Sequence, residues 1–173
     1  MAAIARRETP APDGTLPYSP PVLTTERLVL EPFPDELLTE RYVGWLNDPE
    51  VVRFSEQRHL THTIESCREF IATFDGTANG LWAIRDKTNG LRHIGNISTE
   101  IDPATATGDI RILIGERSAW GTGVGAEAWI AVMTHLFDDL GMDRVTAGTL
   151  VGNIGMRRIM EKSGMHETHR CPG

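Results

Sequence analysis

Residues 116–128 read Glu-Arg-Ser-Ala-Trp-Gly-Thr-Gly-Val-Gly-Ala-Glu-Ala, between a β-branched apolar segment and an amphipathic one. Glycines at positions 121, 123 and 125 allow the backbone to turn tightly and to approach an anion closely. A helix that begins near Gly125 would add unpaired N–H groups and the positive end of its dipole. The stretch therefore predicts a phosphate-binding loop, although an ordinary tight strand-to-helix turn would have a similar sequence.

Two commoner phosphate-binding motifs do not fit this loop. It does not end in Gly-Lys-Ser/Thr, which excludes the nucleotide P-loop. A dinucleotide-binding fold would place the glycines after its first strand and an acidic residue about 20 positions further on. Here the loop follows several predicted strands, and position 145 is Val.

Outside the loop, the hydrophobic pattern alternates between the periods of strands and helices. Strands are predicted over residues 24–31, 81–85, 91–101, 109–115 and 143–151. Helices are predicted over residues 35–46, 50–54, 63–76, 126–140 and 154–163. Asp35 is the expected N-cap of the first helix, and the Thr63 to Ser66 interval is typical of a helix start. The order of elements predicts a mixed α/β (α+β) layered fold.

Length and composition favour one globular domain with a tail. Residues 1–22 are Pro-rich and are predicted to be a flexible tail, which leaves residues 23–173 as a single domain. The net charge of −7 argues against nucleic acid as a partner, and no apolar run approaches the ~20 residues of a membrane span. Cys67 and Cys171 lack the spacing of a metal site or a disulfide framework, so we expect a cytoplasmic protein without a metal.

The glycine loop resembles the cofactor motif of the GNAT acetyltransferases, Gln/Arg-x-x-Gly-x-Gly/Ala, with Trp120 in the first position as in their RimJ/RimL-like branch. Residues 24–28 resemble the opening strand of that branch, and residues 153–164 resemble its second cofactor motif. The resemblance covers residues 23–166. It implies a single GNAT-like domain with a mostly antiparallel central sheet flanked by helices. It also implies an acyltransferase that uses acetyl coenzyme A and no metal.

The resemblance also assigns cofactor-binding residues. The backbone of Leu113 and Ile114 would hold the pantetheine arm, while their side chains would also suit core packing. Asn153 would contact the cofactor or serve only as a helix N-cap, and Arg117 would lie near phosphate or be a surface charge. The loop residues expected to bind cofactor are Arg117, Trp120, Gly121, Thr122, Gly123, Val124, Gly125 and Ala126.

Acetyl transfer requires a group that accepts the proton of the amine, because an amine with a pKa near ~10 is almost fully charged at neutral pH. Glu100 and Asp109 are the candidate carboxylates, and Glu100 is preferred. The family often carries a tyrosine as general acid in its second motif, whereas the corresponding residue here is Met160.

Residues 42–51 and 95–97 are similar to members that acetylate amino groups of nucleotide-linked sugars. The expected acceptor-binding residues are Arg53, Arg58 and Asn96, and the expected substrate is a small-molecule primary amine. A protein N-terminal acetyltransferase and a catalytically weak acyl-CoA sensor are the alternatives. Related chains continue with two further strands after Gly164, which are short or missing here. A homodimer formed by strand pairing is one expected consequence, because the sheet edge would be open.

Overall fold

The computed structural model describes residues 18–170, so residues 1–17 of the predicted tail and Cys171 lie outside the described residues. The strands are β1 (Leu23–Thr24), β2 (Leu28–Pro32), β3 (Gly80–Asp86), β4 (Arg92–Asp102), β5 (Thr107–Ile114) and β6 (Arg144–Thr146). The helices are α1 (Glu40–Leu46), α2 (Pro49–Val52), α3 (Ile64–Ala72), α4 (Val124–Thr134) and α5 (Ile154–Lys162). The predicted order of strands and helices is confirmed with one exception. The single strand predicted over residues 24–31 is divided by a turn at residues 25–27 into β1 and β2, which pair antiparallel.

The strands form one sheet in the order β1-β2-β3-β4-β5-β6. Neighbouring strands are antiparallel except β5 and β6, which are parallel, so the expected mixed, mostly antiparallel sheet is confirmed. The β3–β4 hairpin turns where predicted, with Gly90 in the left-handed region at φ 61°.

The sheet carries helices on both faces, because strand residues alternate between the two sides. One face packs against α4 and α5, with a core of large side chains: Leu28, Leu30, Trp82, Ile84, Ile94, Ile97, Ile110, Trp129 and Leu136. The other face packs against α1 and α3 through a smaller cluster: Tyr42, Val43, Trp45, Leu46 and Cys67.

Several predicted helix boundaries were wrong. Asp35 leads only a 3-10 turn, because Leu38 leaves helical geometry with a ψ of 80°. Helix α1 therefore starts afresh after Thr39, whose side chain accepts a hydrogen bond from the Tyr42 N–H. The Thr63–Ser66 capping box is confirmed, although its helix ends at Ala72 instead of near Gly76. Helix α4 begins two residues earlier than predicted and ends in a π-helical turn over His135–Asp139.

The predicted strand over 143–151 was too long, since only Arg144–Thr146 pairs with β5. The chain beyond Thr146 contains Gly148 and Gly152, and glycine disfavours strands. After α5, which Gly164 closes at φ 83°, the chain forms no strand as far as Arg170, so β6 is the edge of the sheet within the described part. Within that part, every helix is too short or too polar to cross a membrane.

Candidate functional site

The sheet opens between β5 and β6. Their parallel pairing ends at Asp109 and Thr146, and β5 continues through Ile110–Ile114 without a strand partner on that side. These five residues extend roughly 16 Å, and they lead directly to the glycine loop. Because one edge of a strand is left unpaired there, its backbone groups are available to an extended ligand. We call this opening the fork.

The glycine loop brings an uncapped helix end to the open side of the fork. Gly123, at φ 88°, is the N-cap of α4, and no side chain in the described residues caps that end. The N–H of Glu127 makes the first intrahelical bond, to Gly123 O at 3.1 Å, which leaves the N–H groups of Val124, Gly125 and Ala126 for a ligand. Gly121, at φ 72°, has no atom within 4 Å of the place of a Cβ, so its outer side is open. These features fit a phosphate group.

Arg27 and Glu127, which sequence reasoning did not single out, hold this loop in place. Glu127 accepts hydrogen bonds from Thr25 Oγ1 at 2.5 Å, Arg27 N at 2.8 Å and Arg27 Nε at 2.7 Å. Arg27 Nη1 also donates to Thr122 O at 2.9 Å. Burial alone would raise the pKa of Glu127, but these hydrogen bonds outweigh it and hold that pKa below its ordinary value. Two sequence features could have identified this pair: the motif over residues 24–28, which contains Arg27, and the Glu-Ala that follows the glycine loop, which contains Glu127.

Arg117 and Trp120 both have partners at the start of the loop. Arg117 Nη2 donates to both carboxylate oxygens of Asp48, at 2.7 and 2.6 Å. The indole N–H of Trp120 donates to Ile114 O at 2.8 Å, and the ring remains 42% exposed. The side chain of Leu113 packs with the α1 cluster and that of Ile114 with the main core. Both side chains therefore pack in the interior, and Ile114 belongs to the part of β5 that has no strand partner on the β6 side.

The two candidate carboxylates lie side by side on neighbouring strands. Glu100 of β4 and Asp109 of β5 are register partners, and Arg111 pairs with both, at 2.9 and 3.2 Å. Asp109 accepts a hydrogen bond from Thr146 Oγ1 at 2.9 Å, so it lies where the fork closes. The side chain of Glu100 is 61% exposed and that of Asp109 is 31% exposed.

The expected acceptor residues lie in different surroundings. Arg53 is exposed and stacks on Phe54, with its guanidinium carbon 4.6 Å from the ring centroid. Arg58 donates to Ser55 O at 2.8 Å and pairs with Glu56 at 3.3 Å. Asn96 is buried, and its Oδ1 lies 2.8 Å from Nε2 of His93. The first two therefore lie on the surface, and the third lies beneath α1.

Phe54 and Asn153 belong to the far side of the fork. A Cβ on Gly152 would lie 3.4 Å from the Phe54 ring, so the loop that follows α2 reaches the chain before α5. Asn153 caps α5 by accepting a hydrogen bond from the Met156 N–H at 3.1 Å. Met160 packs on the main core, where a tyrosine acid was already excluded by sequence. In the described chain, no three His, Cys, Asp or Glu side chains are grouped as metal ligands.

This architecture matches a known family. The model of the acetyltransferase (GNAT) domain matches residues 27–166 of this chain. The chain therefore belongs to the GNAT acetyltransferases, and it is an acyltransferase. The match confirms the superfamily that the glycine loop indicated.

Similar proteins agree with that assignment. Human alpha/beta-tubulin-N-acetyltransferase 9 is 25% identical over 152 residues, which cover 82% of this chain and 73% of that protein. A GNAT acetyltransferase structure from Bacillus anthracis has a TM-score of 0.72 at 21% identity, covering 84% of this chain and 83% of that one. Spermidine N-acetyltransferase from Vibrio cholerae, solved with CoA and spermine, also reaches 0.72, at 16% identity, covering 84% of this chain and 85% of that one. The two structural likenesses show that the fold is shared.

Proposed function

We propose that this protein transfers an acetyl group from acetyl coenzyme A to a primary amine in the fork between β5 and β6. The observation that carries the proposal is the alignment of two features: the uncapped start of α4 and the unpaired edge of β5 adjoin each other. A phosphate group suits the first and an extended amide-containing arm suits the second. Few ligands carry both groups in series, and coenzyme A is one of them.

In this proposal the N–H groups of Val124, Gly125 and Ala126 bind the diphosphate. The backbone of Leu113 and Ile114 pairs with the pantetheine arm, which directs the thioester toward the closed end of the fork. The loop residues Trp120, Gly121, Thr122 and Gly123 shape the phosphate site. Arg117 and Asn153 are the further side chains that we expect to contact the cofactor.

The chemistry requires one proton acceptor at the closed end of the fork. The amine nitrogen attacks the thioester carbonyl, a C–N bond forms, the C–S bond breaks, and the thiolate leaves. The amine proton passes to a carboxylate, and a strand N–H stabilises the oxyanion. We propose that Asp109 accepts this proton, because Thr146 holds its carboxylate where β5 and β6 separate. Glu100 lies one strand further away and supports Asp109 through Arg111.

For the acceptor, we propose a small molecule such as a nucleotide-linked amino sugar. Its diphosphate needs a cation, and the candidate is the exposed guanidinium of Arg53, whose carbon lies 4.6 Å from the centroid of the Phe54 ring. Arg58 is a weaker candidate because Ser55 and Glu56 already engage it, and Asn96 would act from beneath by supporting His93. The second candidate is a cationic acceptor, such as a polyamine or a protein N-terminus. The observation that supports it is the presence of the exposed carboxylates of Glu50 and Glu56 beside those arginines.

A pair of glycine variants tests the cofactor site. Gly123 and Gly141 both have a positive φ, of 88° and 65°, so alanine imposes similar backbone strain at either position. We expect Gly123→Ala to weaken calorimetric binding of coenzyme A by about tenfold or more, because the strain moves the N–H groups of α4. Gly141→Ala should leave that affinity unchanged. Equal affinities in the two folded variants would refute the site.

Turnover separates the enzyme from a sensor. Wild-type protein should release free thiol from acetyl coenzyme A in the presence of a suitable amine, and Asp109→Asn should lower kcat more than Glu100→Gln does. Nucleotide-linked amino sugars, polyamines and peptides with a free α-amine should be screened side by side. Arg53→Ala should raise KM for the sugar nucleotide alone, with Arg68→Ala on α3 as the matched control. Binding without turnover on every amine would favour the sensor.

A further inference from the structure

Three side chains from the α1–α2 segment contact three consecutive residues at the start of the glycine loop. Arg41 and Trp45 lie one turn apart on α1, and Asp48 caps α2 just beyond it. They meet Glu116, Gly115 and Arg117 respectively. The helices on the acceptor side of the sheet are thereby joined to the residues that lead from β5 into the loop.

The contacts at Glu116 and Gly115 are close and partly buried. Arg41 Nη2 donates to Glu116 Oε2 at 2.5 Å, and Arg41 Nη1 donates to His93 O at 2.8 Å. The same guanidinium lies 4.7 Å from the centroid of the Trp45 ring. That ring lies directly against Gly115, where a Cβ would overlap its atoms. Arg41 first, and Arg92 in addition, hold the pKa of Glu116 below its ordinary value.

The contact at Arg117 depends on a carboxylate with two tasks. Asp48 Oδ1 accepts the Glu50 N–H at 2.9 Å, which caps α2, and both Asp48 oxygens accept from Arg117. The Arg117 guanidinium is the main cause that holds the pKa of Asp48 below its usual range. One side chain therefore fixes both the start of α2 and the first turn of the loop.

We propose that Asp48 is a positioning residue: it holds Arg117 and, with Arg41 and Trp45, couples the loop that receives the coenzyme to the α1–α2 segment that borders the acceptor. This inference rests on the proposed function, because it assumes that the loop binds coenzyme A phosphates. When those phosphates bind to the loop, the contacts of Arg41, Trp45 and Asp48 with residues 115–117 restrict the motion of α1 and α2. The acceptor then meets a wall that the coenzyme has already ordered.

The experiment removes the negative charge of Asp48 but keeps the side-chain oxygen that caps α2. Asp48→Asn keeps a side-chain oxygen for the Glu50 N–H, because Asn and Asp cap helices about equally well, but it loses the ion pair with Arg117. Hydrogen exchange is measured with and without coenzyme A. In wild type, coenzyme A should slow exchange in residues 40–52 as well as in the loop. In Asp48→Asn the protection of residues 40–52 should fall, and the dissociation constant of coenzyme A should rise about threefold.

Asp102→Asn is the matched control. Asp102 accepts the Ala104 N–H at 3.0 Å in the same residue-to-residue+2 pattern, at the opposite end of β5 from the loop. It should change neither the exchange pattern nor the affinity. Arg117→Gln should reproduce Asp48→Asn, and the double variant should be no weaker than either single one, because both remove the same pair.

Three results would overturn the proposal. Protection confined to the loop in wild type would show that the α1–α2 segment is not coupled to it. Weaker coenzyme A binding in Arg117→Gln but not in Asp48→Asn would make Arg117 a direct phosphate ligand that needs no positioning. Lower melting temperature with unchanged protection and affinity would make the pair merely structural. If wild-type protein does not bind coenzyme A at all, the proposed function fails first, and that outcome is read from the wild type alone.

Discussion

The two walls of the fork are built very differently. The β5 wall pairs with β4 over eight register partners and is followed by α4, which buries five of its residues. The β6 wall pairs with β5 over three partners and is followed by α5, which buries none of its residues fully. Three contacts from α1 and α2 brace the β5 side further.

This contrast distinguishes a firmly anchored wall from a weakly anchored one. The β5 wall carries the uncapped start of α4 and the unpaired strand edge, where we propose that the coenzyme binds, and both need fixed geometry to bind a ligand without further ordering. The β6 wall contributes fewer anchored groups, so it opens at lower free energy and tolerates change more easily. Substitutions on the two walls should therefore differ in their effect on stability, and the four experiments below test that expectation.

The largest loss of stability should come from lowering the pH, because acid protonates the buried His93 behind the β5 wall. His93 is buried against Trp45, and burial is the main cause that lowers its pKa from 6.5 to about 4. The unfolded chain therefore binds a proton that the native state rejects, so stability falls as pH drops from 6.5 toward 4. The loss should reach about 3 kcal/mol, measured by urea denaturation.

His93→Gln tests the source of that pH dependence. The variant should be less stable at pH 7 but nearly flat between pH 6.5 and 5, where few carboxylates titrate. The exposed His59, replaced by Gln, should retain the wild-type profile. An unchanged slope in His93→Gln would show that other groups drive the acid sensitivity.

A smaller loss should follow from crowding the junction of β5 and the loop. Gly115→Ala places a methyl group inside the Trp45 ring, which must move, so we expect about 2 kcal/mol of destabilisation. On the opposite wall, Gly148→Ala meets no atom within 4 Å and should cost little. Similar thermal stabilities for the two variants would remove the distinction between the walls.

Glu127→Gln should cost about 1.5 kcal/mol, because it removes the charge that receives hydrogen bonds from Thr25 and Arg27. Since the native pKa of Glu127 is lowered, its contribution is present above the unfolded value and is lost as pH falls. The stability difference between wild type and variant should therefore shrink below pH 4. Glu161→Gln, on the exposed side of α5, is the control, and a constant difference at all pH values would contradict the assignment.

The smallest effect should come from the β6 wall. Thr146→Val removes the hydroxyl that donates to Asp109 and should cost about 1 kcal/mol in the free energy of unfolding. Thr146→Ser keeps the hydroxyl and should recover most of that loss. A cost in Thr146→Val larger than that of Gly115→Ala would reverse the order of the two walls.

Local signals in the sequence predicted correctly those features that depend on a single turn, cap or loop. The Asn89-Gly90 turn, the Thr63–Ser66 capping box and the glycine loop were all predicted, because each depends on residues a few positions apart. The first helix began late because Leu38 leaves helical geometry, which no propensity of Asp35 reveals. The β6 strand was overestimated because apolar residues beyond Thr146 were interpreted as strand, where tertiary structure opens the fork.

By itself, the sequence determined most of the order of strands and helices, the glycine-rich turn that leads into α4 and the family to which the chain belongs. Only the tertiary structure decided that Asp109 lies at the closed end of the fork, that Asn96 is buried under α1, and that Arg27 holds Glu127. The pairs that build the site are far apart in the chain: Arg27 with Glu127, Asp48 with Arg117, and Asp109 with Thr146. Periodicity and capping rules reach only a few residues along a chain, so such contacts become visible only when the sheet has brought its strands together.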